Sequence, residues 1–157
     1  RNAQRGRPAI ALDGDHTGRV ERSVSKPTVV ETDAYPQAEP AFVLGVDHRS
    51  GALQALQRSY GVARSVFLTA CNPRSQRFNA AANLRLRRQL EALVQQRGYA
   101  TLAGYGTDPA GRWGVEESLL IIGMGSAEAV ALARRFGQNA LLVMAADAVP
   151  RLLWIQR

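Results

Sequence analysis

Three short segments of this 157-residue chain place amide, hydroxyl, carboxylate and guanidinium groups where packing alone gives them no role. The first, FLTACNPRSQRFNAAAN (67–83), holds Thr69, Cys71, Asn72, Arg74, Ser75 and Arg77 between an apolar run and a helix pattern. Such a set suits an anionic ligand: guanidinium groups supply charge, amides and hydroxyls supply hydrogen bonds, and a helix N-terminus adds unpaired N–H groups. In this reading Asn72, Arg74, Ser75 and Arg77 contact the ligand. Asn83 shares the buried stripe of the following helix with Leu86 and Leu90, so its amide is expected to point inward beside the loop. The same residues also have a purely structural reading, with Asn72-Pro73 as a turn, Asn79 as an N-cap and Asn83 as a brace for the loop.

The second segment, GYGTDPAGRWGVEES, carries Glu116 and Glu117. Neighbours on a strand point to opposite faces, so one of the two carboxylates faces a covered side or a cleft and needs a cationic partner. An arginine of the basic segment is available for that. If the chain is an enzyme, Glu117 is the natural general base and Arg74 the stabiliser of developing charge. An Arg–Glu pair can equally be structural. The third segment, FGQNALL, contains Gln138, an amide with no obvious helix-stopping role, which together with Asn83 and Glu117 would brace the site. Cys71 and His48 both follow apolar runs and could form a nucleophile–base pair, although a lone cysteine at a strand end also serves as a small buried side chain. GMGSAEA lacks the spacing of a dinucleotide fingerprint and the lysine of a P-loop. The sequence calls for no cofactor and no metal.

These residues need elements to hold them. TVVETDAY reads as a first edge strand and AFVLGV as a second. Ser50 then caps a helix that ends at Gly61, and SVFLTA is a strand apolar enough to be buried on both faces. A longer helix spans roughly Ala80 to Arg97, with Leu86, Leu90, Leu93 and Val94 as its stripe and Arg85 and Arg88 elsewhere. YATLAGYGT and ESLLIIG form an antiparallel hairpin across Asp108-Pro109-Ala110-Gly111. Ser126 caps a third helix whose inner face is Ala129, Val130, Ala133 and Phe136, and ALLVMAA and RLLWIQ close the chain as strands. The order β-β-α-β-α-β-β-α-β-β predicts an α/β fold with a single mixed sheet, helices packed on it and a central antiparallel hairpin. Residues 1–26 read as a disordered tail and 27–157 as one α/β domain. Ligands favour the carboxyl edge of open α/β sheets, which is where this reading puts the site.

The chain carries a net charge of +7, with Lys26 as its sole lysine. Between Arg49 and Arg97 nine arginines face the single acid Glu91, a distribution that fits a nucleic-acid-binding module. Arginine-rich composition also follows from GC-rich coding, and stacking aromatics are scarce near the strip. One cysteine excludes an internal disulfide framework, no apolar run reaches membrane-spanning length, and a cytoplasmic setting without membrane contact is expected.

FLTACNPRS, Asn83, GYGTDPAGRWGVEESLLIIG and LARRFGQNALL together resemble a bacterial family catalogued as a domain of unknown function, family 3293, over approximately Tyr35 to Val143. The resemblance implies one compact α/β domain with its polar signature in those three segments. It also implies that Cys71, at a position commonly aromatic in that family, is not a nucleophile. It implies no activity. Three functions stay open on the sequence: a polar, anion-preferring small-ligand site of nucleotide- or phosphate-like type, a nucleic-acid module built on 49–97, and an accessory or structural protein without ligand. Its oligomeric state is not legible.

Overall fold

Turn residues and apolar runs resolve into seven strands and three helices in a computed structural model, which describes residues 9–12, 42–107 and 114–156. In chain order they are β1 (Ala9–Leu12), β2 (Val43–Gly45), α1 (Gly51–Ser59), β3 (Ser65–Thr69), α2 (Ala80–Gln96), β4 (Thr101–Thr107), β5 (Glu116–Ile122), α3 (Ser126–Arg135), β6 (Ala140–Met144) and β7 (Arg151–Trp154). A 3-10 turn, Pro73–Ser75, separates β3 from α2. The order is the expected one with a substitution at its start. β1 comes from Ala9–Leu12, inside the segment expected to be a disordered tail, whereas TVVETDAY lies outside the described residues. The short run AIAL orders because it has strands on both sides, with Ala9 opposite Gly45 of β2 and Thr107 of β4.

The sheet runs β2-β1-β4-β5-β3-β6-β7, and every pairing is antiparallel. The expected mixed sheet is therefore corrected. The α2 and α3 crossovers each skip one strand, and an antiparallel strand fills the gap: β5 lies between β3 and β4, and β3 lies between β5 and β6. The segment β3-α2-β4-β5-α3-β6 is a pair of interlocked split β-α-β units, the ferredoxin-like plan. An antiparallel sheet has no common carboxyl edge, so the edge preference of parallel sheets does not apply. Instead the end of β3 shares one sheet edge with the starts of β5 and β6 and with the end of β4.

Two hydrophobic clusters flank the sheet. On one face Val66, Leu68, Leu119, Ile121 and Leu141 pack against Leu90 and Val94 of α2 and Ala129, Leu132 and Ala133 of α3. On the other Phe67, Leu120, Ile122 and Leu142 pack against Leu53 and Leu56 of α1. β3 is thus buried on both faces, as its composition demands. Fully burying Leu90 and Val94 contributes about 1.5–3 kcal/mol each, which holds the α2 stripe on the sheet. In α3 the N-cap is Gly125 rather than Ser126, and Leu132 is buried with Ala129, Ala133 and Phe136 while Val130 packs partly buried against the same cluster. Ser50 caps α1 by accepting from Leu53 N, and Asn79 caps α2 by accepting from Ala82 N.

β2 and β7 stand at opposite ends of the ladder, yet Asp47 N donates to Pro150 O at 2.8 Å and Ser50 N to Ala148 O at 2.9 Å. The sheet therefore curls over its α1 face, bringing Leu44 into one cluster with Leu142 and Met144. Among the described residues no helix is long and apolar enough to cross a membrane.

Candidate functional site

The loop after β3 is backbone of an unusual kind. Asn72, Arg74 and Ser75 adopt φ of 50°, 56° and 57°, the left-handed region that costs a non-glycine residue about 1–2 kcal/mol. Side chains from three elements hold it there. Asn83 of α2 accepts from Asn72 N at 2.9 Å through Oδ1 and donates Nδ2–H to Asn72 Oδ1 at 3.0 Å. Asn72 Oδ1 also accepts from Phe78 N at 2.9 Å, and Asn72 Nδ2 donates to Glu116 Oε1 at 2.7 Å. Arg74 N donates to Gly137 O at 2.7 Å, Asn139 Nδ2 to Ser75 Oγ at 2.8 Å, and Gln138 Nε2 to Cys71 O at 2.9 Å. Gly137 sits at φ +65°, and a Cβ there would lie 3.1 Å from Pro73 Cβ, so the α3–β6 turn and the loop fit closely only with glycine.

All three segments singled out by their chemistry meet at this sheet edge, where the described residues line two pockets. The Asn72–Asn83 pair is a brace with both ends of the Asn72 amide engaged. On the α3 side a pocket of about 420 Å³ is lined by Arg74, Arg134, Gln138 and Asn139, with Ile155 and Gln156 beyond β7. Arg134 Nη2 donates to Gln156 O at 3.3 Å. On the α2 side a cleft of about 390 Å³ is lined by Glu117 of β5, by Arg87, Arg88 and Glu91, and by β4 residues 103–105. Here Glu117 finds the arginine its position requires, with Arg87 Nε 3.5 Å from Glu117 Oε2. Arg74 and Gln138 therefore line one pocket and Glu117 the other. Ser75 is tied to Asn139 at the rim of the first, Asn72 and Asn83 line neither, and Arg77 is exposed on the loop.

Reading the residues alone missed Arg87 and Arg134. For Arg87 a signal existed: Asn83, Arg87, Leu90 and Val94 fall at helical spacing on one stripe, which puts a guanidinium on the face that also buries leucine and valine. Arg134, in the last turn of α3, carried no such signal. Cys71 and His48 do not form a pair. The Cys71 thiol donates to Glu117 O at 3.5 Å, and His48 Nδ1 lies 2.8 Å from Val46 O. Burial, reinforced by the charges of Glu116 and Glu117, pushes the Cys71 thiol above its ordinary value despite the Thr69 hydrogen bond that opposes this, so it is not an activated nucleophile. Among the described residues no group of three or more His, Cys, Asp or Glu side chains is arranged to hold a metal.

The fold and the brace define a split β-α-β domain with polar pockets on either side of one loop. Residues 68–141 match the model of the family described as a protein of unknown function (DUF3293), a match that runs from the end of β3 through α2, β4, β5 and α3 to the start of β6. Neither a curated protein nor a solved structure matches the chain.

Proposed function

We propose that the protein binds a small anionic ligand, phosphate-like or a phosphate ester, in the pocket between the β3–α2 loop and the α3–β6 turn. One observation carries the reading: Arg74 and Arg134 converge on this pocket, and among the described residues its lining contains no carboxylate. Two guanidinium groups without an acid raise the local potential for an anion and offer fork-shaped donors matched to phosphate or carboxylate oxygens. Arg74 has no side-chain partner among the described residues, while its backbone is fixed by the bond to Gly137 O. That combination keeps the cation available and its root rigid, which limits the ordering cost of binding. A volume of about 420 Å³ admits a ligand of metabolite size.

Isothermal titration calorimetry with inorganic phosphate, pyrophosphate and AMP tests this. At least one of these is expected to bind at low ionic strength, with affinity falling as salt rises. The Arg74→Ala/Arg134→Ala double variant is expected to lose about tenfold or more in affinity with its melting transition intact. Absence of binding by all three anions, or binding undiminished in the double variant, overturns the reading.

A further inference from the structure

Arg87 is incompletely satisfied. Its side chain is only 12% exposed, and its one polar contact among the described residues is the 3.5 Å ion pair from Nε to Glu117. Neither Nη nitrogen has an acceptor among the described residues, although a guanidinium withdrawn from water needs acceptors for its N–H groups. These donors belong to the lining of the α2-side cleft, where an acceptor brought by a ligand would complete them.

The charges of this cleft differ in kind from those of the anion pocket. Arg87 and Arg88 are matched by Glu91 and Glu117. Arg88 and Glu91 have no partner among the described residues, and Glu117, with its side chain 43% exposed, has only the long bond to Arg87. A balanced lining does not favour net charge in its occupant. It favours a molecule presenting both signs, with an anionic end at the arginines and a cationic end at the glutamates. The floor of the cleft is Ala103 and Gly104 of β4, whose small size leaves it open above the sheet, and Tyr105 supplies an aromatic side beyond them.

We propose that this cleft is a second site, independent of the anion pocket, that binds a small zwitterion carrying a carboxylate and an ammonium group, as a free α-amino acid does. The carboxylate engages the Arg87 Nη donors and Arg88, and the ammonium lies between Glu91 and Glu117.

A thermal-shift screen with the proteinogenic L-amino acids tests the proposal, with acetate and methylamine as single-charge controls and calorimetry to measure affinities. At least one amino acid is expected to raise the melting temperature while neither control does so. Affinity for that amino acid should fall about tenfold or more in Arg87→Gln. Glu91→Gln removes only a partly exposed carboxylate from the helix surface and is expected to weaken it too. If Arg87→Gln fails to fold, the Glu91→Gln result decides. The Arg74→Ala/Arg134→Ala variant should bind the amino acid unchanged, which separates this site from the anion pocket. No stabilisation by any amino acid, equal stabilisation by acetate, or full binding by a folded Arg87→Gln or by Glu91→Gln overturns it.

Discussion

At the scale of single residues, Asn72 and Asn83 act as one unit. Each supplies both a donor and an acceptor to the other, and Asn72 adds the bonds to Phe78 N and Glu116. Replacing Asn72 by alanine strands these partners and keeps a Cβ in the left-handed region, so a loss of about 1–3 kcal/mol is expected in chemical denaturation. Asn72→Gly loses the same hydrogen bonds but relieves the backbone, which offsets its greater unfolded-state freedom. It should therefore be less destabilised than the alanine variant, by roughly 0.5–1 kcal/mol. In a double-mutant cycle Asn72→Ala and Asn83→Ala should couple by about 0.5–3 kcal/mol, and strictly additive losses would contradict the brace. How far such a site can be read from a sequence depends on periodicity. Asn83 declared its inward direction because it shares a stripe with two leucines. Arg87 occupies the same stripe and was passed over because arginine is read first as a surface residue. The split into two pockets was invisible, because it depends on how the α3–β6 turn packs beneath the β3–α2 loop.

Between elements, the link from the C-terminal end of α2 to the first turn of α3 is electrostatic and sensitive to pH. Tyr99, just past α2, donates its hydroxyl to Glu128 Oε2 at 2.6 Å, and Arg97 Nη1 donates to Oε1 at 2.9 Å. The Tyr99 hydrogen bond is the main cause that holds the Glu128 carboxyl below its ordinary 4.5, and the same bond raises the Tyr99 hydroxyl above its ordinary 10.0. A depressed carboxyl stabilises the fold above its unfolded value and loses that contribution as pH falls through the folded one. A raised phenol stabilises below its unfolded value and loses that contribution as pH rises through the folded one. Wild type should therefore exceed Tyr99→Phe in stability by a constant margin near neutrality. The margin should close as pH drops below 4.5 and again as it climbs past 10. A margin independent of pH in urea titrations would remove the link. Secondary structure was largely legible at this scale: caps at Ser50 and Asn79, helix stops at Gly61, Gly98 and Gly137, and the doubly buried β3 all follow from residue type. β1 was not legible, since AIAL is too short to stand out and orders only between partners distant in sequence.

Across the whole molecule, the pairing of strands is what local patterns could not give. Strand–helix alternation is shared by parallel sheets and by split β-α-β sheets, and only the position of the skipped strand separates them. Burial does leave one global probe. Cys71 is 4% exposed and its thiol is held above the ordinary value, so iodoacetamide should modify it slowly in the native protein. Its modification should follow the same denaturant midpoint as the loss of helical circular dichroism, and early labelling would mean that this sheet edge opens by itself. Because β3 occupies the middle of the sheet, its backbone partners are made long after it is. Thr69 must wait for Ser118 and Phe67 for Leu142. During synthesis at about 5–20 residues per second, this doubly buried strand of the core is therefore out of the ribosome for several seconds before either ladder can form. A nascent chain of this topology presents SVFLT to the chaperones that scan for such runs, and slower translation of the β4–β5 hairpin would lengthen that exposure rather than relieve it.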